Sequence, residues 1–240
     1  MTIGIACLFF PNFGAPDLQS GKIDHSIINS FPLVHDKIQN LIFDLGGVIL
    51  DLHFDRTYEA FALAGHRSVE EIQTMINKSS FFNDYEKGLL TDDEFRAAIR
   101  KMLQTNLSDD QIDAAWNGTL GKIPLERLQL VTNLRGKFRV FLLSNTNSIH
   151  LRRIDKIVEA ASGEPTLRSY FVEAYYSHLL KMRKPDKEIY EHVLKQNQLV
   201  PEFTLFLDDN LPNLNGAAET GIKTFHVQHP QSMMSLFHEP

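Results

Sequence analysis

The apolar positions of this chain change their period several times. Continuous apolar runs occur at Leu41–Phe43, at "RVFLLS" (139–144), "FVEAYYS" (171–177), "TLFLDD" (204–209) and "KTFHV" (223–227). Short runs of this kind, bounded by polar or turn-forming residues, suit strands buried on both faces. Between them the spacing predicts helices at about 125–135, 148–161, 186–198 and 212–220. Strands alternating with helices imply an α/β fold, a parallel sheet covered by helices on both sides. Functional side chains then gather at the carboxyl ends of the strands.

Residues 55–124 interrupt this alternation. They hold no good strand pattern, but they hold Ser68 with Glu71, Thr91 with Glu94 and Ser108 with Gln111. Each pair has the spacing of a capping box at a helix start. Phe95, Ile99, Met102 and Leu103 follow at helical spacing. A helical unit at 55–124 is therefore inserted after the first strand, over the carboxyl edge of a core made from 38–54 and 125–240. Pro124 suits the start of the returning helix. Residues 1–37 contain Pro11, Gly14, Pro16, Gly21 and Pro32 without a sustained period, and read as an irregular N-terminal extension.

Composition narrows the function. A net charge of −6 argues against a nucleic-acid surface. The run Ile3–Phe10 is too short to span a bilayer and lacks the basic flank of a secretory signal. The single cysteine, Cys7, rules out an internal disulfide, so a reducing, cytoplasmic setting is the simplest expectation. A monomer or homodimer acting on a small molecule, with no membrane or nucleic-acid partner, fits these features.

Candidate chemistry stands at four strand ends. Asp44 closes the first run and is followed by Gly46 and Gly47, which permit a sharp turn and bring N–H groups close to an anion. Ser144 closes the second run at a helix start, a place suited to an N-cap or to anion binding. Lys184 precedes Pro185, either as a solvated loop residue or as a charge held on a rigid turn. Asp208 and Asp209 close the fourth run. Adjacent carboxylates at a buried strand end raise each other's pKa unless compensated. A divalent cation compensates them, and hard oxygen ligands point to Mg²⁺.

Each feature alone has an ordinary reading; their order is specific. "IFDLGGVIL", "FLLSNT", "MRKPDKEIYEHVL" and "LFLDDNLPNLNGA" together resemble the haloacid dehalogenase superfamily over about residues 38–230. Its fold is a Rossmann-like core, and the helical insert looks like its C1-type cap. The wording is similar to bacterial sugar-1-phosphate phosphatases and the phosphatase domain of soluble epoxide hydrolases. The resemblance implies an Mg²⁺-dependent phosphatase acting on small phosphorylated metabolites such as hexose 1-phosphate. Asp44 would be the nucleophile and form an aspartyl-phosphate. Ser144, the amide of Asn145 and Gly47 would bind the phosphoryl group, and Lys184 would neutralise charge. The Asp44 carboxylate, the Gly46 carbonyl, Asp209 and Asp208 would surround the metal, with Asn213 supporting them. Arg56, Tyr85, Glu86 and Trp116 are the candidate substrate contacts on the insert, with packing of the insert's core as the ordinary reading of Trp116.

One position departs from the pattern. Most phosphatases of the superfamily carry a second Asp two residues after the nucleophile, where this chain has Gly46. A good leaving group, such as an anomeric oxygen, needs less help from an acid. Alternatively Asp51 or His53 substitutes, or turnover is weak. A 2-haloacid dehalogenase activity and a catalytically weak binding protein on the same fold are the two rival readings.

Overall fold

The computed structural model describes residues 37–237, so the expectation for the N-terminal extension lies almost wholly outside the described residues. Five parallel strands form one sheet in the order β3-β2-β1-β4-β5. They are β1 (Asn40–Phe43), β2 (Arg139–Ser144), β3 (Glu173–Tyr176), β4 (Thr204–Asp208) and β5 (Lys223–His226). Successive side chains of a strand point to opposite faces. Leu41 and Phe43 therefore join Val140, Leu142, Leu205 and Leu207 in one apolar layer. Ile42 joins Phe141, Leu143 and Phe206 in the other. The continuous apolar runs of the sequence follow from this two-sided burial.

Register brings the chemistry together. Phe43 lies opposite Leu142 on one side and Leu207 on the other. The residues that follow, Asp44 and Asp208, thus emerge side by side, and the Asp44 N–H still donates to the Leu207 carbonyl at 2.9 Å.

Between β1 and β2 run α1 (Phe54–Gly65), α2 (Val69–Lys78), α3 (Phe81–Glu86), α4 (Asp92–Leu103), α5 (Asp109–Asn117) and the returning α6 (Leu125–Leu134). All three capping boxes form, at the starts of α2, α4 and α5. The insert buries its own apolar cluster, including Phe61, Ile72, Phe82, Tyr85, Phe95, Ile99 and Trp116. Its two connections to the core pair as a ribbon. Asp51 N–H donates to Lys122, Gly121 N–H to Asp51, and His53 N–H to Thr119, at 2.8–2.9 Å. Leu52 bridges Leu120 in antiparallel fashion at the centre of the ribbon.

The remaining helices cover the sheet: α7 (Ser148–Ser162), α8 (Ser177–Leu180), α9 (Lys187–Asn197), α10 (Leu211–Ala218) and α11 (Pro230–Phe237). Among the described residues no helix is long and apolar enough to cross a membrane.

Candidate active site

The strand ends converge on one buried ammonium. Lys184 Nζ lies 2.7 Å from Asp44 Oδ1 and 2.7 Å from Asp208 Oδ2. It is 1 % exposed and sits 5.2 Å from the centre of the Phe206 ring. Its backbone is clasped by Asn145: the Lys184 N–H donates to Oδ1, and Nδ2 donates to the Lys184 carbonyl, both at 2.9 Å. The Lys184–Pro185 bond is cis. Gly216 of α10 packs so tightly on this turn that a Cβ would fall 2.3 Å from the Pro185 carbonyl oxygen.

Asp208 is fully buried and engaged on both oxygens. Besides Lys184 it accepts from Asn210 N–H at 2.8 Å and from Asn213 Nδ2 at 3.1 Å. Asn213 therefore acts on Asp208 directly, as a donor where a further acid would repel it.

Asp209 is less enclosed and lies against the turn after β1, the turn expected to cradle an anion. At Gly47, where φ is +71°, a Cβ would stand 2.2 Å from Asp209 Oδ2. Both the left-handed backbone and the approach of Asp209 thus require glycine there. His226 Nε2 and the Asp209 carbonyl lie 3.1 Å apart.

Electrostatics matches the packing. Burial pushes the Asp44 carboxyl up to about 7, against the attraction of Lys184 and with repulsion from Asp208. Burial, then repulsion from Asp44 and Asp208, pushes Asp209 up to about 8. Burial also opposes the Lys184 ammonium, but attraction to Asp208 and Asp44 outweighs it and holds the group above the ordinary lysine range.

Asp44, Asp208 and Asp209 each present an oxygen within 4.8 Å of the others, so the donor set suits a hard divalent cation. The second oxygen of Asp44 and the carboxylate of Asp209 are the freer ligands. The direct metal contact expected of Asp208 competes with its bonds to Lys184, Asn210 and Asn213, which make it the anchor of the lysine.

The other expected residues divide. Ser144 is buried, its hydroxyl 3.5 Å from the Asn145 carbonyl. The Asn145 side chain serves the lysine turn rather than the substrate side. Glu86, at the end of α3, pairs with Arg183 at 3.1 Å, next to Lys184. Burial raises its carboxyl, partly offset by Arg183 and Lys184. Lys87 pairs with Asp186 at 2.8 Å, so two consecutive insert residues bracket the lysine turn. Tyr85 is buried, its hydroxyl donating to Asp92 at 2.8 Å and lying 3.1 Å from Ser148.

Trp116 takes its ordinary reading. It is packed in the insert's core against Phe82 and Phe95, stacked on His150 at 4.7 Å, with its N–H directed to Asn147. An indole enclosed in this way positions the insert on α7 and presents no free face for a substrate. Arg56 is exposed on the first turn of α1, and no contact draws it to the cluster. Asp51 is tied to Arg127 at 2.8 Å, and His53 Nε2 lies against Gly121. Neither hydrogen-bonds to Asp44.

Sequence reasoning missed Arg183, Arg127 and Ser177. Arg183 was visible only as a neighbour of Lys184. Ser177 exchanges bonds with the Thr146 N–H and carbonyl at 2.9 and 3.0 Å, fixing the loop after β2. None of the three stands in a pattern that local spacing reveals.

A parallel sheet with a carboxylate–lysine cluster at its carboxyl edge and a helical insert joined to it by a paired ribbon defines a hydrolase of the capped α/β class. The model of the haloacid dehalogenase-like hydrolases matches residues 38–221, and the chain belongs to that family. It is 31% identical over 192 residues to the D-ribitol-5-phosphate phosphatase of Bacteroides thetaiotaomicron, covering 80% of this chain and 93% of that protein. A haloacid dehalogenase family enzyme of B. thetaiotaomicron, solved as a magnesium complex, superposes with a TM-score of 0.78 at 38% identity, over 85% of this chain and 100% of that one. A HAD-like hydrolase from Porphyromonas gingivalis gives 0.73 at 29% identity, again over 85% of this chain and 100% of that one. The enzyme class expected from the motif order is thus the class to which the chain belongs, with a named phosphatase among its relatives.

Proposed function

We propose that this enzyme is an Mg²⁺-dependent phosphatase of small phosphorylated sugars or polyols, working through an aspartyl-phosphate. The observation that carries this reading is the buried contact of Lys184 with both Asp44 and Asp208 at 2.7 Å.

Asp44 Oδ attacks phosphorus; the bond to the leaving oxygen breaks with its electron pair, and an acyl phosphate forms on Asp44. Lys184 holds the other Asp44 oxygen and places a positive charge beside the transferring group, where it acts strongly because water is excluded. Ser144, the Asn145 amide and the Gly47 turn surround the remaining phosphoryl oxygens. Water then attacks phosphorus and frees the Asp44 carboxylate. Asp44 and Asp209 would hold Mg²⁺, which when bound neutralises the phosphoryl charge.

The raised carboxyls of Asp44 and Asp209 support this reading, since three clustered acids share one lysine and the remaining negative charge suits a divalent cation. The relative named for a pentitol phosphate, and the resemblance to sugar-1-phosphate phosphatases, support the substrate class. Glu86 of the insert, with its partner Arg183 of the core, is the pair best placed to face such a substrate.

A panel of sugar and polyol phosphates, assayed for phosphate release with Mg²⁺ and with excess EDTA, tests it. Turnover that vanishes in EDTA and in Asp44→Asn is expected. Hydrolysis of 2-haloacids that survives EDTA would replace this reading with the dehalogenase one.

A further inference from the structure

Asp208 and Asp209 are neighbours in the chain but are held differently. Lys184, the Asn210 N–H and the Asn213 amide all donate to the Asp208 carboxylate. Among the described residues, the one side-chain hydrogen bond to Asp209 reaches its carbonyl, not its carboxylate, and comes from His226. The direction of the Asp209 carboxylate is therefore set through its backbone. That direction is narrow, because Oδ2 stands where a Cβ on Gly47 would fall, 2.2 Å away.

The backbone is pinned at both edges of a single peptide unit. The Asp209 carbonyl faces His226 Nε2 at 3.1 Å, and the N–H of the same unit, that of Asn210, donates to Asp208 Oδ1 at 2.8 Å. A carbonyl only accepts, so the ring donates from Nε2. The unit is planar, so bonds on its two opposite edges hold it in one orientation. Sheet register carries the ring to this point. His226, the last residue of β5, lies opposite Asp208 on β4, and the Val227 N–H donates to the Asp208 carbonyl at 3.0 Å. A continuous set of bonds thus runs from His226 through the Asp209–Asn210 peptide and Asp208 to Lys184 and Asp44.

We propose that His226 is a positioning residue for the metal: by donating to the Asp209 carbonyl it holds the Asp209 carboxylate against the Gly47 turn, in the direction from which it ligates Mg²⁺. The inference rests on the Mg²⁺-phosphatase reading and deepens it, giving an edge strand of the sheet a part in metal affinity. His226 acts through Asp209, since the nitrogen that faces the cluster carries a hydrogen and is not a ligand. Removing a group that orients a metal ligand typically weakens metal binding by roughly 10- to 100-fold.

The test titrates MgCl₂ into the full-length protein at one fixed pH and follows Tm, for the wild type, His226→Phe, His226→Ala and His226→Gln. Stabilisation by a bound ligand follows the ratio of its concentration to Kd. The Mg²⁺ concentration needed for a given rise in Tm should be about tenfold higher in His226→Phe and His226→Ala. His226→Gln, whose amide nitrogen can stand where Nε2 stands, should remain within about threefold of the wild type. The Mg²⁺ concentration giving half-maximal phosphate release should move by the same factors.

The metal-free Tm of each variant reads the purely structural cost separately. Losses of Tm that are equal at every Mg²⁺ concentration, with no shift along the Mg²⁺ axis, would overturn the proposal. So would a glutamine variant as weak as the phenylalanine one, because the donor would then be irrelevant. A wild type stabilised by Mg²⁺ beside Phe and Ala variants stabilised equally well would bring down the role of His226 alone. A wild type whose Tm does not respond to Mg²⁺ would bring down the Mg²⁺ reading and this inference together.

Discussion

The strand-end cluster and the helical insert are stabilised in opposite ways. The cluster is assembled from residues far apart in the chain, at β1, β4 and the turn before α9, and is held by charge in a buried space. The insert is built from neighbours: each of its three boxed helices is started by a contact three residues long, and its interior is aromatic and aliphatic. A local unit of this kind folds on its own cues. The cluster exists only once the sheet has set its register, and it keeps a surplus of negative charge that packing alone does not relieve.

Removing the shared cation gives the largest expected change. Lys184→Met leaves Asp44, Asp208 and Asp209 with no counter-charge, and breaking such a buried pair costs about 3–5 kcal/mol. Urea unfolding should show this loss, larger at pH 8 than at pH 5, because Asp44 and Asp209 carry protons at the lower pH. A loss that is small and independent of pH would place the cluster in water.

Stability of the metal-free protein should fall as pH rises. Asp44 and Asp209 are raised to about 7 and about 8 from an unfolded value of 3.8. Their folded state binds more protons, so the favourable contribution is complete below about 4 and is lost as pH climbs through 7 and 8. Mg²⁺ should reverse this at neutral pH, by about 2.7 kcal/mol at a hundred times its Kd. Differential scanning with and without Mg²⁺ at pH 5 and pH 8 measures it; an equal Mg²⁺ effect at both would contradict the shared carboxylate site.

The seam between insert and core should respond with the opposite sign. Burial lowers His150 from 6.5 to about 4, against its bond with the Trp116 carbonyl and the pull of Asp113. Its unfolded state binds more protons between those values, so stability is complete above 6.5 and falls as pH drops toward 4. The change is about 2 kcal/mol for a ring not wholly enclosed. His150→Gln should flatten that limb and leave the alkaline one. The smallest effect belongs to the insert's local order: Thr91→Ala removes the cap of α4 and costs about 1 kcal/mol by urea unfolding, with phosphate release at saturating substrate little changed.

What the sequence revealed follows the same division. The capping boxes and strand runs were legible because their cause lies within a few residues. Asp44 and Asp208 were legible because parallel strands present their carboxyl ends together; Lys184 was read at a strand end too, but stands on the turn before α9, beyond α8. The orientation within that group was not. That Asp208 grips the lysine depends on Asn210 and Asn213 donating to it, which only the turn after β4 decides. Trp116, on the last insert helix, read as a substrate contact or as core packing, and the surrounding aromatic rings settle it as core. Glu86 with Arg183, 97 residues apart, leaves no mark in local spacing. The approach of Leu52 to Gly46 depends on the pairing of the two segments that join the insert to the core, which no periodicity encodes.

The most direct measurement is rapid acid quenching of the enzyme during turnover of an aryl phosphate, followed by peptide mass spectrometry. One phosphoryl group on the peptide carrying Asp44, absent from Asp44→Asn and labile to hydroxylamine, is the expected result. Steady phosphate release with no phosphoryl adduct on that peptide, or with the adduct on another residue, would contradict nucleophilic attack by the strand-end aspartate.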